Sequence, residues 1–202
     1  MEIKNLSPQI IINAQKGDLL AFEQIVFALE KLIFNYLFRL LGSKSDAEDA
    51  VQDTFIKVYK NLKTYQPEKK FSTWVFAIAI NTAYDSLRKR KYVIETDLTK
   101  ALDLKDETKL GEDPYYTAER EVNAQIVQKH LNQLKPVQKN LVLLYYYKDF
   151  SLQEIADLLK MPLGTIKTNL FRAREELKEL ITGHTHRHFV DGQSPIPKVA
   201  FD

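Results

Sequence analysis

Apolar residues recur at three- and four-residue steps along most of this chain, the spacing that lines one face of an α-helix. Phe22, Ile25, Val26, Leu29, Leu32, Ile33, Tyr36, Leu37 and Leu40 form the first strong run, and Gly42 is placed to stop it. Ala47, Ala50, Val51, Thr54, Phe55, Val58 and Leu62 form a second. Ser45-Asp46-Ala47-Glu48 reads as a capping box opening that helix, Ser and Glu each satisfying the other's free backbone N–H. Asp49, Asp53 and Lys57 line another face, and Thr64-Tyr65-Gln66-Pro67 turns the chain. A third helix is predicted from near Ser72 through Trp74, Ile78, Asn81 and Asp85 to Arg88-Lys89-Arg90-Lys91, where cations suit the C-terminal end of the dipole. Periodicity fades after Tyr92, and the acidic stretch 93–117, interrupted by Gly111 and Pro114, reads as linker.

The helical pattern resumes with Val122, Ile126, Leu131 and Leu134. Pro136 suits the first turn of the next helix, filled by Leu141, Val142, Leu144 and Tyr145. Ser151-Leu152-Gln153-Glu154 is a second capping box, opening a helix with Ile155, Ala156, Leu158 and Leu159. Met161-Pro162-Leu163-Gly164 breaks it, and a last helix runs from about Thr165 to Ile181. Nothing alternates cleanly like an amphipathic strand. The pattern predicts an all-α chain of two small helical domains joined by a flexible acidic linker: 1–92, linker 93–121, then 122–182, with a disordered tail over 183–202.

Charge adds a second layer. Hydrophobic content of 45% and charged content of 28% are ordinary for a globular protein. The net charge of +2 hides a pattern: net +4 over 1–91, −5 over 92–121, +3 over 122–181. Two basic bodies on an acidic tether suit a polyanionic partner. The absence of cysteine removes disulfide and thiolate chemistry and fits a cytoplasmic protein. No signal peptide is visible, and no apolar run reaches the ~20 residues that span a bilayer. There is no phosphate-binding glycine loop and no metal-ligand pair on a helix. His130 reads as an ordinary helix residue, the only histidine outside the tail. His184, His186 and His188 alternate on a segment too loose to preorganise a metal site, so no metal or other cofactor is expected. An enzyme is not expected either, nor a small-molecule substrate.

The segment 151–180 carries the most specific signal. A short capped helix, a tight turn and a longer helix make a helix-turn-helix, whose second helix enters the major groove of DNA. Ala156 is small where the two helices cross, and Lys160 stands where this motif usually has glycine. At 100° per residue, Ile166, Leu170, Ala173 and Leu177 share one face. Thr168, Phe171 and Arg172 point away, flanked by Lys167 and Arg174. Such a face can meet thymine methyls, guanine edges and phosphates. Two N-terminal features each stay open to two readings. Asp46, Asp49, Gln52 and Asp53 are either a solvated helix start or a docking face for a basic partner. Tyr65, Phe71, Trp74, Phe76 and Tyr84, interleaved with Lys69, Lys70 and the cations Arg88 to Lys91, are either core plus a helix-end cluster or a platform for single-stranded nucleic acid.

Three runs together resemble the extracytoplasmic-function (ECF) sigma factors of bacterial RNA polymerase. Ser45 to Tyr59 resembles sigma region 2.2. Phe71 to Asn81, with Asp85 and Arg88 to Lys91, resembles regions 2.3 and 2.4. Ser151 to Arg174 resembles region 4.2. The resemblance implies that Asp46, Asp49, Gln52 and Asp53 dock on the β′ clamp helices of the core polymerase, and that the second domain meets the β flap. It implies −10 element contacts at Lys57, Asn61, Tyr65, Trp74, Asn81 and Arg88, capturing a base flipped from the non-template strand. It implies −35 element contacts at Thr165, Lys167, Thr168, Phe171, Arg172 and Arg174. The length leaves no room for a region 1.1 or a folded region 3, which fits the minimal class. Such factors are usually held by a separate anti-sigma factor, in some cases membrane-bound. The alternative is a stand-alone helix-turn-helix regulator with an N-terminal sensory domain.

Overall fold

A computed structural model of the chain describes residues 6–68, 70–96, 127–148 and 150–182. The expected linker beyond 96 and the tail beyond 182, with its three histidines, lie outside the described residues, as does Lys69. The described residues form helices and turns with no strand, in two compact units, Met1–Thr108 and Lys109–Asp202.

The first unit opens with α1, Pro8–Gln15, which the apolar pattern did not reveal. Its proline sits in the first turn, where a missing N–H costs nothing. Gly17 at φ 96 reverses the chain, and the Asp18 carboxylate accepts the N–H of Ala21 at 3.1 Å, capping α2, Leu19–Leu41. Gly42 ends α2 in the left-handed conformation at φ 76, its N–H returning to the Phe38 carbonyl. One extended residue, Ser43, then starts α3, Lys44–Asn61. The cap is therefore Ser43, whose hydroxyl accepts from the Asp46 N–H at 3.2 Å, and Ser45 lies inside the helix. Gly42 stops α2 so abruptly that the next helix begins two residues before the Ser-x-x-Glu signature suggested.

A 3₁₀ turn, Leu62–Thr64, leads to α4, Phe71–Thr96, which runs four residues past the fade in periodicity. Helices α2, α3 and α4 pack on one another, with α1 against α2. The core holds Ile25, Leu29, Ile33, Tyr36 and Leu37 of α2, Val58 of α3, and Val75 and Phe76 of α4. Ala47, Ala50, Ala79 and Ala83 are buried too, and their small side chains let the helices approach closely. The Tyr36 and Phe76 rings meet edge to face, centroids 5.2 Å apart. Burial, with Tyr84 adding to it, holds the Tyr36 phenol well above the ordinary tyrosine value, so it stays neutral.

In the second unit residues 127–131 are helical and Pro136 starts α5, Pro136–Val142. The Gln138 side chain accepts the Lys135 N–H at 3.3 Å. The helix widens into a π turn over Leu143–Tyr147, with the Lys148 N–H reaching the Leu143 carbonyl at 3.1 Å. Helix α6, Leu152–Leu159, carries the expected capping box: Ser151 Oγ accepts the Glu154 N–H, and a Glu154 carboxylate oxygen accepts the Ser151 N–H. Helix α7, Leu163–Thr182, starts two residues before Thr165, so Gly164 lies in its first turn and the break is confined to 160–162. Leu141, Leu144, Ile155, Ile166, Leu170, Ala173 and Leu177 make the core.

Lys160, where glycine is usual, occupies the left-handed region at φ 53 and ψ 43. That conformation costs an L-residue about 1–2 kcal/mol, whereas glycine adopts it freely at some cost in chain entropy. Lys160→Gly is expected to stabilise the second unit by about 0.5–1 kcal/mol. Urea denaturation checks this; an unchanged or lower midpoint refutes it.

Candidate nucleic-acid and docking surfaces

The outward face of α7 follows from its buried stripe. With Ile166, Leu170, Ala173 and Leu177 inside, Thr165, Lys167, Thr168, Phe171 and Arg172 are exposed and Arg174 is half-buried. The Thr168 hydroxyl donates to the Gly164 carbonyl at 2.9 Å, which turns its methyl and oxygen into fixed features of the helix surface. Phe171 is 58% exposed. Fully burying a phenylalanine is worth about 1.5–3 kcal/mol, and this helix forgoes most of it in the free chain. The face therefore combines an apolar ring with two cations and two hydroxyls, the mix that meets base edges and phosphates in a major groove.

In the first unit α3 and α4 form a groove lined by Ile56, Lys57, Lys60, Thr82, Asp85, Arg88 and Lys89. Asp85 organises it. One of its oxygens receives Arg88, and the other receives Lys57 Nζ at 3.4 Å. Lys57 also donates to the Thr82 hydroxyl at 3.1 Å, and that hydroxyl donates to the Ile78 carbonyl. Two expected −10 contacts, Lys57 and Arg88, are thus held by one carboxylate across two helices. The Arg88 hydrogen bond lowers the Asp85 pKa, with Lys57 acting in the same direction against a smaller desolvation effect.

The aromatic set divides. Phe71 and Phe76 are core, whereas Tyr65, Trp74 and Tyr84 are half-buried. Tyr65 meets Phe71 edge to face at 5.0 Å and Trp74 at 5.5 Å, and Phe71 stacks on Trp74 at 5.7 Å. Phe71 and Phe76 thus follow the core reading, and Tyr65, Trp74 and Tyr84 leave part of each ring at the surface. Burial, with Glu68 adding to it, raises the Tyr65 phenol pKa, so the ring is neutral. Asn61 is exposed at the end of α3, its amide donating to the Lys57 carbonyl at 2.8 Å, and Asn81 is exposed two turns beyond Trp74 on α4.

Of the acidic set, Asp49, Gln52 and Asp53 are exposed. Asp46 is half-buried in the first turn of α3 and pairs with Arg90 of α4 at 3.6 Å. The sequence pattern did not reveal this pair or the Lys57–Asp85 link, because the partners of each lie on different helices. Among the described residues no cluster of His, Cys, Asp or Glu has metal-binding geometry, and no helix is long and apolar enough to cross a membrane.

Comparison with known proteins shows the same division. Residues 25–92 match the family model described as Sigma-70 region 2, and residues 124–177 match Sigma-70, region 4. The chain is 31% identical over 174 residues to the ECF RNA polymerase sigma factor SigW of Bacillus subtilis, covering 84% of this chain and 93% of that one. It is 28% identical over 178 residues to the RNA polymerase sigma-H factor of Pseudomonas aeruginosa, covering 86% and 92%. In fold it resembles the sigma factor RpoE, solved in complex with the anti-sigma factor NepR from Bartonella quintana, with a TM-score of 0.68 and 24% identity over 81% of this chain and 98% of that one.

The Asp85 bridge carries a pH signature. Its folded pKa is depressed, so its contribution to stability is present above the ordinary aspartate value of about 3.9 and is lost as pH falls through the lower folded value. The stability difference between the wild type and Asp85→Asn should therefore hold near neutral pH and shrink below about pH 4. Denaturation midpoints measured from pH 7 to pH 3 check this; a difference that stays constant across the range counts against the bridge.

Proposed function

This chain belongs to the ECF family of RNA polymerase sigma factors, and from that premise we propose a role for each of its surfaces. As a sigma factor it acts with core RNA polymerase and promoter DNA in transcription initiation. The proposed −35 reader is the outward face of α7, with Lys167, Thr168, Phe171 and Arg172 at base edges and Thr165 and Arg174 at the flanking backbone. The proposed −10 surface is the α3–α4 groove and the aromatic corner, with Lys57 and Arg88 on phosphates, Tyr65 and Trp74 stacking on an extruded base, and Asn61 and Asn81 offering amides to it. The proposed docking face for the β′ clamp helices is Asp46, Asp49, Gln52 and Asp53, and the second unit is proposed to meet the β flap.

One observation carries the promoter-reading assignment: an exposed Phe171 on the same face as Arg172, Lys167 and Thr168, with Ile166, Leu170, Ala173 and Leu177 of α7 buried on the other. The same reading assigns promoter melting and docking to 1–92, with α4 continuing to Thr96, a connecting linker to the stretch from there to 121 and −35 binding to 122–182. The place of action is the cytoplasm, where the polymerase works. Regulation by an anti-sigma factor is proposed from the Bartonella quintana relative, which was solved with one. Whether that inhibitor is membrane-bound is a property of the inhibitor.

The test is to mix the purified chain with bacterial core polymerase and assay initiation from a promoter library. Selective, core-dependent initiation is the expected result and returns the promoter motif. Specific duplex binding by the chain alone, without binding to core, would replace this reading by a stand-alone regulator.

Two variants separate the surfaces. Arg172→Ala should cost about 1–3 kcal/mol of −35 discrimination while leaving core affinity unchanged. Equal transcription from a −35-dependent promoter would remove Arg172 from the contact set. Asp49→Lys with Asp53→Lys should weaken core binding at least tenfold, about 1.4 kcal/mol. Co-purification with core at the wild-type level rejects the docking face.

A further inference from the structure

We propose that Gln15, on α1 and before the first residue of the Sigma-70 region 2 match, is the positioning residue for the −10 contacts made by the loop after α3. The inference rests on the reading of Tyr65 and Trp74 as −10 contacts, and it adds to that surface a residue from a helix with no expected part in it. The Gln15 side-chain amide donates two hydrogen bonds, to the Leu62 carbonyl at 3.0 Å and to the Tyr65 carbonyl at 3.1 Å. A side-chain amide has two N–H donors, and both are used. The two acceptors bracket the 3₁₀ turn Leu62–Thr64, and the Leu62 carbonyl also accepts the Tyr65 N–H at 3.2 Å. One side chain from 47 and 50 residues upstream thus fixes both ends of the turn that launches the loop.

Tyr65 is held at two points as a result. Gln15 fixes its backbone carbonyl, and Phe71 and Trp74 fix its ring. Phe71 is buried and opens α4, so the ring is referenced to the core while the carbonyl is referenced to α1. A base that flips out must find its stacking surface already in place, because ordering a loop at the moment of capture subtracts from binding. The identity of the residue matters for a chemical reason. Gln15→Glu keeps the length but turns a two-proton donor into a carboxylate facing two carbonyl oxygens. Gln15→Met keeps the length and the apolar stem and has no donor. Neither change touches a residue assigned to DNA or to the polymerase.

The measurement uses holoenzyme assembled from full-length chain and core polymerase, with a promoter library randomised across the −10 element and, separately, across the −35 element. The readout is the ratio of initiation between the preferred and disfavoured bases. That ratio does not depend on how much of the variant is folded, so a merely destabilised protein leaves it unchanged. Both variants are expected to lower the −10 ratio at least fivefold, Gln15→Glu more than Gln15→Met, with the −35 ratio and the affinity for core as in the wild type. An unaltered −10 ratio in both variants overturns the proposal. A −10 ratio that falls together with the −35 ratio or with core affinity overturns it as well, by making Gln15 a residue of the fold at large. Wild-type holoenzyme that selects no −10 motif removes the underlying reading of Tyr65 and Trp74 instead, and this proposal with it.

Discussion

Helix α3 must bury Ala47, Ala50, Val51, Thr54, Phe55 and Val58 against its neighbours, and the outward side of the first unit follows from that single requirement. At 3.6 residues per turn, a stripe committed to the core leaves the intervening positions no choice of direction. Asp49, Gln52, Asp53 and Ile56 go to solvent, and Lys57 comes to the edge facing α4. Helix α7 obeys the same rule with Ile166, Leu170, Ala173 and Leu177 inside, which sends Thr168, Phe171 and Arg172 out. The proposed docking face on α3 and the proposed −35 face on α7 are the complements of two apolar stripes. Burying a whole aliphatic side chain is worth about 1.5–3 kcal/mol, so no surface interaction competes with these stripes in orienting the helices.

Several charges between α3 and α4 are paired. Asp85 joins Lys57 and Arg88, and Asp46 joins Arg90, each pair linking α3 to α4 or lying along α4. Such pairs are half-exposed and individually weak. Their effect is on geometry and on net field: carboxylates set among cations keep a basic groove from attracting any polyanion indiscriminately. Asp46 is at once a member of the proposed docking face and the partner of a cation at the basic end of α4. The docking face and the basic helix end therefore share one ion pair, and a basic partner that engages Asp46 competes with Arg90 for it.

Much of this architecture is local and was legible in the amino-acid order. The identity of the longer helices, the Gly42 stop, the Ser151–Glu154 capping box and the inward and outward faces of α7 depend on residues within a turn or two of one another, and periodicity reports such relations directly; the region 2 and region 4 runs were legible as a resemblance to a family. Even some local details escaped it. Ser43, not Ser45, caps α3, because Gly42 leaves only one residue to change direction. Helix α1 carries Ile11 and Ala14 to the core on just two turns, too short a run to stand out. Lys160 takes a backbone conformation that favours glycine, because the turn between α6 and α7 imposes it whatever side chain stands there.

What the sequence alone determined, then, is where the longer helices lie and which side of each faces water. Tertiary structure alone decided which outward residues meet. Asp85 finds Lys57 from 28 residues away, and Gln15 finds the turn at Leu62 and Tyr65 from 47 and 50. Those partners are set by how α1, α3 and α4 cross, and crossing geometry comes from the interlocking of side chains across helices, not from the spacing of side chains along any one of them.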